Sequence, residues 1–329
     1  MRILAFLDDG TAAAGRGRVI LLAVLLDLLL GEPPNWCHPV VAMGKLVAAL
    51  ERRSPRGGRV LQLAYGALAE AACLAMATLP GSWLERLFRP DSLHGALILA
   101  AALKPTFAVR ALFEHQSAIL TPLEKGDLPA ARSAVGRIVS RDVRHLDEGQ
   151  VAAAAIESLA ENASDAVVAP LLCYALFGLR GAYAYRMANT LDAMWGYRGA
   201  YEYLGRVAAK LDDLLNLVPS RLTALAIAAC SSGGGAPWVA WRVARRDASK
   251  TASPNAGWPM AAVAGALGVR LEKVDHYALN EEGRTPEARD LSRAQTAVGA
   301  GLVASVAVLL LFVGLRRSLI RQDSVRQSD

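Results

Sequence analysis

The sequence predicts an all-α fold: a polytopic integral membrane helical bundle with cytoplasm-facing amphipathic helices and re-entrant or short apolar segments. Three observations predict it. Hydrophobic residues fill 53% of the 329 positions and charged residues only 20%, against about 45–50% and about 25% in an ordinary soluble domain. Mean hydropathy is positive, at +0.28. Near the C-terminus, residues 294–315 carry no charge and exceed the roughly 20 residues that a helix needs to cross a bilayer.

The charge pattern narrows the partners. The net charge is +6 and the isoelectric point near 9.3, but Lys and Arg are scattered over loops with no base-stacking aromatic motif beside them. Nucleic acid is therefore set aside; loop positives that orient membrane segments explain the excess. Cys37, Cys73, Cys173 and Cys230 show no metal-type spacing and read as buried, reduced thiols. The opening MRILAFLDDG is too short and too acidic for a secretory signal. The whole chain is read as one helical membrane domain.

Taken in order, residues 19–30 form an apolar run too short to span alone and interrupted by Asp27. It is expected to be a core helix, or a re-entrant or tilted segment extended by its flanks, with Asp27 either functional or hydrogen-bonding a helix end. The Pro-rich turn at 31–39 must break the helix. Its His38 could bind phosphate, act as an acid or base, or be structural. Residues 40–50 resume helical spacing, and Arg52, Arg53, Arg56 and Arg59 make a basic, cytoplasmic loop. Residues 60–79 and 93–103 read as a helical hairpin with its tip between Pro80 and Pro90.

From 104 to 150 the chain is basic and amphipathic, with a turn at Gly126–Pro129 and Asp147 as the N-cap of the next helix. That helix, 148–165, sets Glu157, Glu161 and Asp165 at i, i+4 steps among Ala and Val. The acidic face is expected to meet the interior or a polar cavity. Pro170 either kinks the following apolar segment or begins a new one. Residues 231–235 read as a flexible linker, lacking phosphate-loop spacing, and 238–250 as a basic amphipathic helix. The turn 253–259 leads into a helix at 260–267 and could offer N–H groups to an anion, an ordinary capped turn being the plainer reading. Residues 281–293 read as charged and solvated. After the span at 294–315, Arg316, Arg317 and Arg321 suggest a cytoplasmic end. Placing every basic loop inside gives no consistent number of spans, so some short apolar runs must be re-entrant or buried.

The stretch 157–221 organises the chain. Three polar clusters interrupt Ala/Leu-rich sequence: Glu161-Asn162 with Asp165, Asn189-Thr190 with Asp192, and Lys210 with Asp212, Asp213 and Asn216. Amides and carboxylates repeated along one apolar stretch are costly to bury unless a ligand, an ion or one another satisfies them.

Six motifs in order resemble the CobD/CbiB family of cobalamin-biosynthesis proteins: LDLLLGEPPNWCHPV (26–40), ARSAVGRIVSRD (131–142), AAIESLAENASDAVVAPL (154–171), YRMANTLDAMWGYR (185–198), AAKLDDLLNLVPSRLTAL (208–225) and SPNAGWPMAAVAGALGVRL (253–271). The resemblance runs from about 19 to 271. Glu32, Trp36-Cys37, Ser164 and Met260 depart from the family pattern, but no core carboxylate, amide or lysine is lost.

The resemblance implies a membrane-bound adenosylcobinamide-phosphate synthase. Such an enzyme joins the propionate carboxylate of adenosylcobyric acid to the amine of aminopropanol phosphate, or a close aminoalcohol analogue, using ATP and Mg²⁺. It would sit as a multi-pass protein in the inner or plasma membrane with a cytoplasmic site. A second copy of the chain or other corrinoid-pathway enzymes are the protein partners it would meet.

On that footing Asp165, Asp192, Asp212 and Asp213 are the metal-binding candidates, since Mg²⁺ favours one or two carboxylates plus phosphates and water. Asn162, Asn189 and Asn216 would orient phosphate, water or amide, with Thr190 in a packing or supporting position. Lys210 and Arg221 would meet phosphate oxygens. Glu161 or His38 would take the amine proton, and Ser253 and Asn255 would clamp substrate. Asp212 or Asp213 could instead merely pair with Lys210 or Arg221. The alternatives are an intramembrane Mg²⁺-dependent phospho- or prenyltransferase, whose NDxxD/DxxxD or DGxxAR signatures are missing, and a non-catalytic membrane sensor related to the family.

Overall fold

The computed structural model describes residues 10–55, 57–197, 199, 201–231 and 236–326. Arg56, Arg198 and the 232–235 part of the expected linker lie outside these. Thirteen α-helices are described: α1 (Gly10–Leu30), α2 (Pro39–Glu51), α3 (Arg59–Leu87), α4 (Leu93–Leu103), α5 (Val109–Glu124), α6 (Leu128–Val135), α7 (Glu148–Ala163), α8 (Ala169–Trp195), α9 (Arg206–Leu215), α10 (Leu217–Ala229), α11 (Pro237–Asp247), α12 (Gly257–Leu267) and α13 (Ala288–Arg326). The strands described, β1 (Leu271–Lys273) and β2 (Tyr277–Leu279), form one antiparallel hairpin.

The all-helical membrane architecture expected from composition is what the chain adopts. Four segments are long and apolar enough to cross a membrane: Arg59–Leu87, Leu93–Glu124, Glu148–Trp195 and Ala288–Arg316. The short run at 19–30 is lengthened by its N-terminal flank into a 21-residue helix. The chain groups into two compact units. One comprises Met1–Ala108, Ala169–Leu215 and Ala307–Asp329, the other Val109–Val168 and Asn216–Val306.

In the first unit, α3 packs along α8, and α1 along α4. Met43, Val47, Cys73, Met187, Leu191 and Trp195 form its core. Leu21, Leu25 and Leu28 on α1 and Leu68, Met76 and Leu79 on α3 are exposed. Rows of large apolar side chains on the outside suit a lipid surrounding and would be a liability in water. Glycine permits the close helix contacts: a Cβ at Gly66 would overlap the Leu204 carbonyl.

The expected hairpin tip is narrowed to its C-terminal side. Pro80 lies inside α3, and the chain turns only after Leu87. The Thr78 and Ser82 hydroxyls donate to the Ala75 and Thr78 carbonyls around it, one of the ways an apolar helix tolerates proline. Cys37 is corrected, being exposed; Cys73 and Cys173 are buried as expected, and all four thiols are free.

α8 is broken at Gly178, whose φ of 72° lies in the left-handed region. The two new helix ends are both satisfied. Arg16 donates to the Ala175 and Leu176 carbonyls at 3.1 Å, and Arg316 to Leu176 at 3.2 Å. On the other side Glu85 accepts the Leu179 N–H at 2.7 Å. Cations thus meet a helix C-terminus and an anion a helix N-terminus, as their dipoles favour.

In the second unit, α7 begins with the expected Asp147 cap, reciprocated by Gln150 in a capping box. Every residue from Val151 to Ala160 is buried. Five alanines in that stretch let α5, α6, α12 and β1 pack against α7. α7 gives way at Ser164–Val168 to one π-helical turn, and α8 starts afresh with Pro170 in its first turn, where proline is tolerated. α12 begins at Gly257, three residues earlier than expected.

Residues 281–293 are not simply solvated. Asp290 is fully buried, gripped by Arg284 at 2.6 Å and Arg293 at 3.0 Å. Asp247, also fully buried, binds Arg246 at 2.9 Å, Lys250 at 3.1 Å and the Asn280 N–H at 2.7 Å. Burial alone would raise the Asp247 pKa, but these partners outweigh it and hold the carboxyl below its ordinary range.

Candidate active site

The first unit carries two polar groupings. On α8 and α9, the Asn189 amide donates to Asp212 Oδ1 at 3.2 Å. Asp192 lies against Gly196, where a Cβ would overlap its carboxylate. Lys210 reaches Asp213 at 3.5 Å, yet Lys210 is 77% exposed, so this is a weak surface pair. The Thr190 hydroxyl donates to the Arg186 carbonyl of its own helix at 2.7 Å, in keeping with a supporting rather than chemical part.

The other grouping was only half visible in the sequence. Lys104, at the end of α4, lies 3.3 Å from Asp27 and 2.8 Å from Glu32. Glu32 in turn lies 2.6 Å from His38 Nε2. His38 is the N-cap of α2, its Nδ1 accepting the Val40 N–H at 3.1 Å. That contact fixes the tautomer: Nδ1 is the acceptor, so Nε2 carries the proton and donates it to Glu32. Both ring nitrogens are therefore engaged in this arrangement. Asp27 and His38 were candidates from the sequence; Lys104 and the part played by Glu32 were not. Lys104 lies 72 residues from Glu32 in sequence, with no local pattern to link them.

The second unit carries the remaining candidates. Arg141 binds Glu157 Oε2 at 2.7 Å, both side chains nearly buried. The Asn162 amide donates back to Ser158, at 2.9 Å to the carbonyl and 3.3 Å to the hydroxyl. Glu157, Ser158, Glu161 and Asn162 line a cavity of about 130 Å³ together with Arg141, Lys273 and Tyr277. Burial, then the charges of Glu157 and Glu161, push the Tyr277 hydroxyl far above its usual pKa, so it stays a hydrogen-bond donor. Asp165 sits half-buried in the π-helical turn and Asn216 is buried at the start of α10.

Arg221 and Asn255 do meet, the guanidinium donating to Asn255 Oδ1 at 2.6 Å and to the Pro254 carbonyl at 3.2 Å. It also stacks over Trp258, 4.8 Å from the ring centroid. The Ser253 hydroxyl accepts from the Asn255 and Ala256 N–H groups. The turn thus closes on its own donors, and Arg221 braces it. As it stands this is a scaffold more than an open anion clamp.

Residues 20–308 match the family model described as CobD/Cbib protein. This chain belongs to the CobD/Cbib family. It is 43% identical over 271 residues to the cobalamin biosynthesis protein CobD of Dehalococcoides mccartyi, covering 81% of this chain and 87% of that one. Over 294 residues it is 44% identical to the protein of the same name from Chromobacterium violaceum, covering 85% and 91%. The probable cobalamin biosynthesis protein CobD of Methanothrix thermoacetophila is 38% identical over 312 residues, covering 91% and 97%. No solved structure matches.

The CobD/Cbib match extends past residue 271, where the sequence motifs end, through the β1–β2 hairpin and into α13. Lys273 and Tyr277 therefore fall inside the family region. Among the described residues of this CobD/Cbib protein, no three His, Cys, Asp or Glu side chains converge as a metal-holding group. Asp212 with Asn189 beside it, or Asp192, could each contribute a ligand to a cation that draws most of its ligands from phosphates and water.

Proposed function

We propose that this CobD/Cbib protein is the amide-forming ligase of cobalamin biosynthesis, an adenosylcobinamide-phosphate synthase. It would join the propionate carboxylate of adenosylcobyric acid to the amine of aminopropanol phosphate or a close aminoalcohol analogue, with ATP as the driving co-substrate. The observation that carries a role in cobalamin biosynthesis is family membership over residues 20–308. The carboxylates and amides set into its apolar helices support the finer reading, since they are the residue types that a phosphoryl-transfer site needs.

The chemistry assigns each side chain a task. A carboxylate resists attack by an amine until one oxygen becomes a good leaving group. In our reading the propionate oxygen attacks the γ-phosphorus of ATP, giving an acyl phosphate and ADP. The amine nitrogen then forms its bond to the acyl carbon, the C–O bond to phosphate breaks, and inorganic phosphate leaves with the second nitrogen proton. The ammonium form must first give up a proton, which Glu161 accepts and passes to solvent; His38, with both nitrogens engaged, is better suited to orienting Glu32. Mg²⁺, when bound, would neutralise charge spreading over the transferring phosphoryl group. In the first unit Asp192, Asp212 and Asp213 are the carboxylates to hold it, and Asn189 would fix the orientation of phosphate or water; Asp165 and Asn216, in the second unit, are candidates from sequence alone. Basic loops around the apolar helices support a cytoplasmic site in the cell membrane.

The test is a membrane assay with adenosylcobyric acid, aminopropanol phosphate and MgATP, read by mass spectrometry for the amide. Product formation that requires ATP is the expected result. Folded wild-type protein that forms no amide would overturn the reading.

A further inference from the structure

The cavity between α7 and the β1–β2 hairpin is charged in a balanced way. On α7, Glu157 and Glu161 stand one turn apart, and Ser158 and Asn162 form a neutral row beside them. On the hairpin, Lys273 and Tyr277 are cross-strand partners, so their side chains emerge on the same face. Arg141 completes the lining and is already bound to Glu157. Two cationic and two carboxylate side chains thus share one cavity, and among the described residues Lys273 makes no ion pair.

This composition excludes several occupants. A bare anion would meet two carboxylates, and a bare cation would meet Arg141 and Lys273. At about 130 Å³, the cavity is of the size that takes up a small molecule. A small zwitterion with an ammonium at one end and a phosphate at the other satisfies both charge sets. The Tyr277 and Ser158 hydroxyls and the Asn162 amide are neutral partners for its oxygens.

We propose that this cavity is the aminoalcohol phosphate site, with the ammonium held by Glu161 and Glu157 and the phosphate by Lys273. The identity of the occupant rests on the ligase reading above. What is added is that Lys273, on the hairpin, selects the phosphorylated aminoalcohol over the free alcohol. No corrinoid or nucleotide is needed for this binding step.

The test uses the full-length protein in detergent, titrated calorimetrically with O-phosphoethanolamine and with ethanolamine. Wild type should bind the phosphorylated compound more tightly. Lys273→Gln should weaken it by about tenfold or more, the loss expected for one charge-assisted hydrogen bond, and leave ethanolamine within about twofold. Lys273→Arg should keep the preference, which separates loss of charge from damage to the hairpin. The proposal is overturned if wild type binds neither compound, or if folded Lys273→Gln keeps the wild-type preference. The amide assay separates the two readings. Amide formed by Lys273→Gln with unchanged preference sinks the site alone, while Lys273-dependent binding without any amide sinks the ligase and leaves the site standing.

Discussion

His38 Nε2 lies 2.6 Å from Glu32, while its Nδ1 accepts the Val40 N–H. The ring joins a helix start, through the exposed Glu32, to the buried Asp27–Lys104 pair, which sets the first prediction. His38→Asn keeps a capping side chain and should hold the thermal midpoint close to wild type, whereas His38→Ala should lose about 1 kcal/mol of stability. If His38 were instead the essential base, His38→Asn would be folded yet inactive in the amide assay.

Lys104 pairs with both Asp27 and Glu32. Removing one partner of a buried ion pair typically costs about 3–5 kcal/mol, because the other charge is left without compensation. Lys104→Met should therefore destabilise far more than Asp27→Asn, and Asp27→Asn added to Lys104→Met should recover part of the loss. Equal midpoints for the two single variants would argue against this network.

On α8 and α9 the prediction is a ranking. Asp192→Ala should lower turnover by about a hundredfold or more if its carboxylate serves the transferring phosphoryl group. Gly196→Ala should mimic it in part, since the added methyl would occupy the carboxylate's place. Lys210→Ala removes an exposed pair and should change turnover by less than about fivefold. Steady-state assays with MgATP varied would show the order.

Acid should loosen the second unit through Asp247. A carboxyl whose folded pKa lies below its unfolded value near 4 binds fewer protons when folded. Its contribution is fully present above that unfolded value and fades as pH falls through the folded one. Thermal midpoints should thus fall below about pH 4, and Asp247→Asn should flatten that limb while lowering the midpoint at neutral pH. An acid limb unchanged in Asp247→Asn would place the effect elsewhere.

Much of the fold was legible because its signals are local. Asp147 caps the helix it was expected to cap, the turn at Gly126–Pro129 separates α5 from α6, and 294–315 lies within one long helix. Pro80 misled because a proline's cost is offset by neighbouring hydroxyls and by packing that a local rule does not see. Asp290 read as solvated because Arg284 and Arg293 flank it in sequence as readily in a loop as around a buried carboxylate. The β1–β2 hairpin was missed: its strands are three residues long, and the turn is marked only by Asp275 with φ of 62°. For the site, residue types betrayed themselves as polar groups in apolar helices. Their partners did not. Lys104 with Glu32, and Lys273 beside α7, are set by tertiary contacts that no spacing encodes.

The break at Gly178 has a mechanical consequence. A continuous helix transmits a twist or push along its hydrogen-bond ladder, and a left-handed residue interrupts that ladder. The segment bearing Asn189, Thr190 and Asp192 is therefore steered by its own anchor, the Glu85 carboxylate from α3, rather than by the stretch of α8 before it. Its aim can be trimmed by substitutions on α3 while the Ala169–Phe177 half keeps its seat under Arg16 and Arg316.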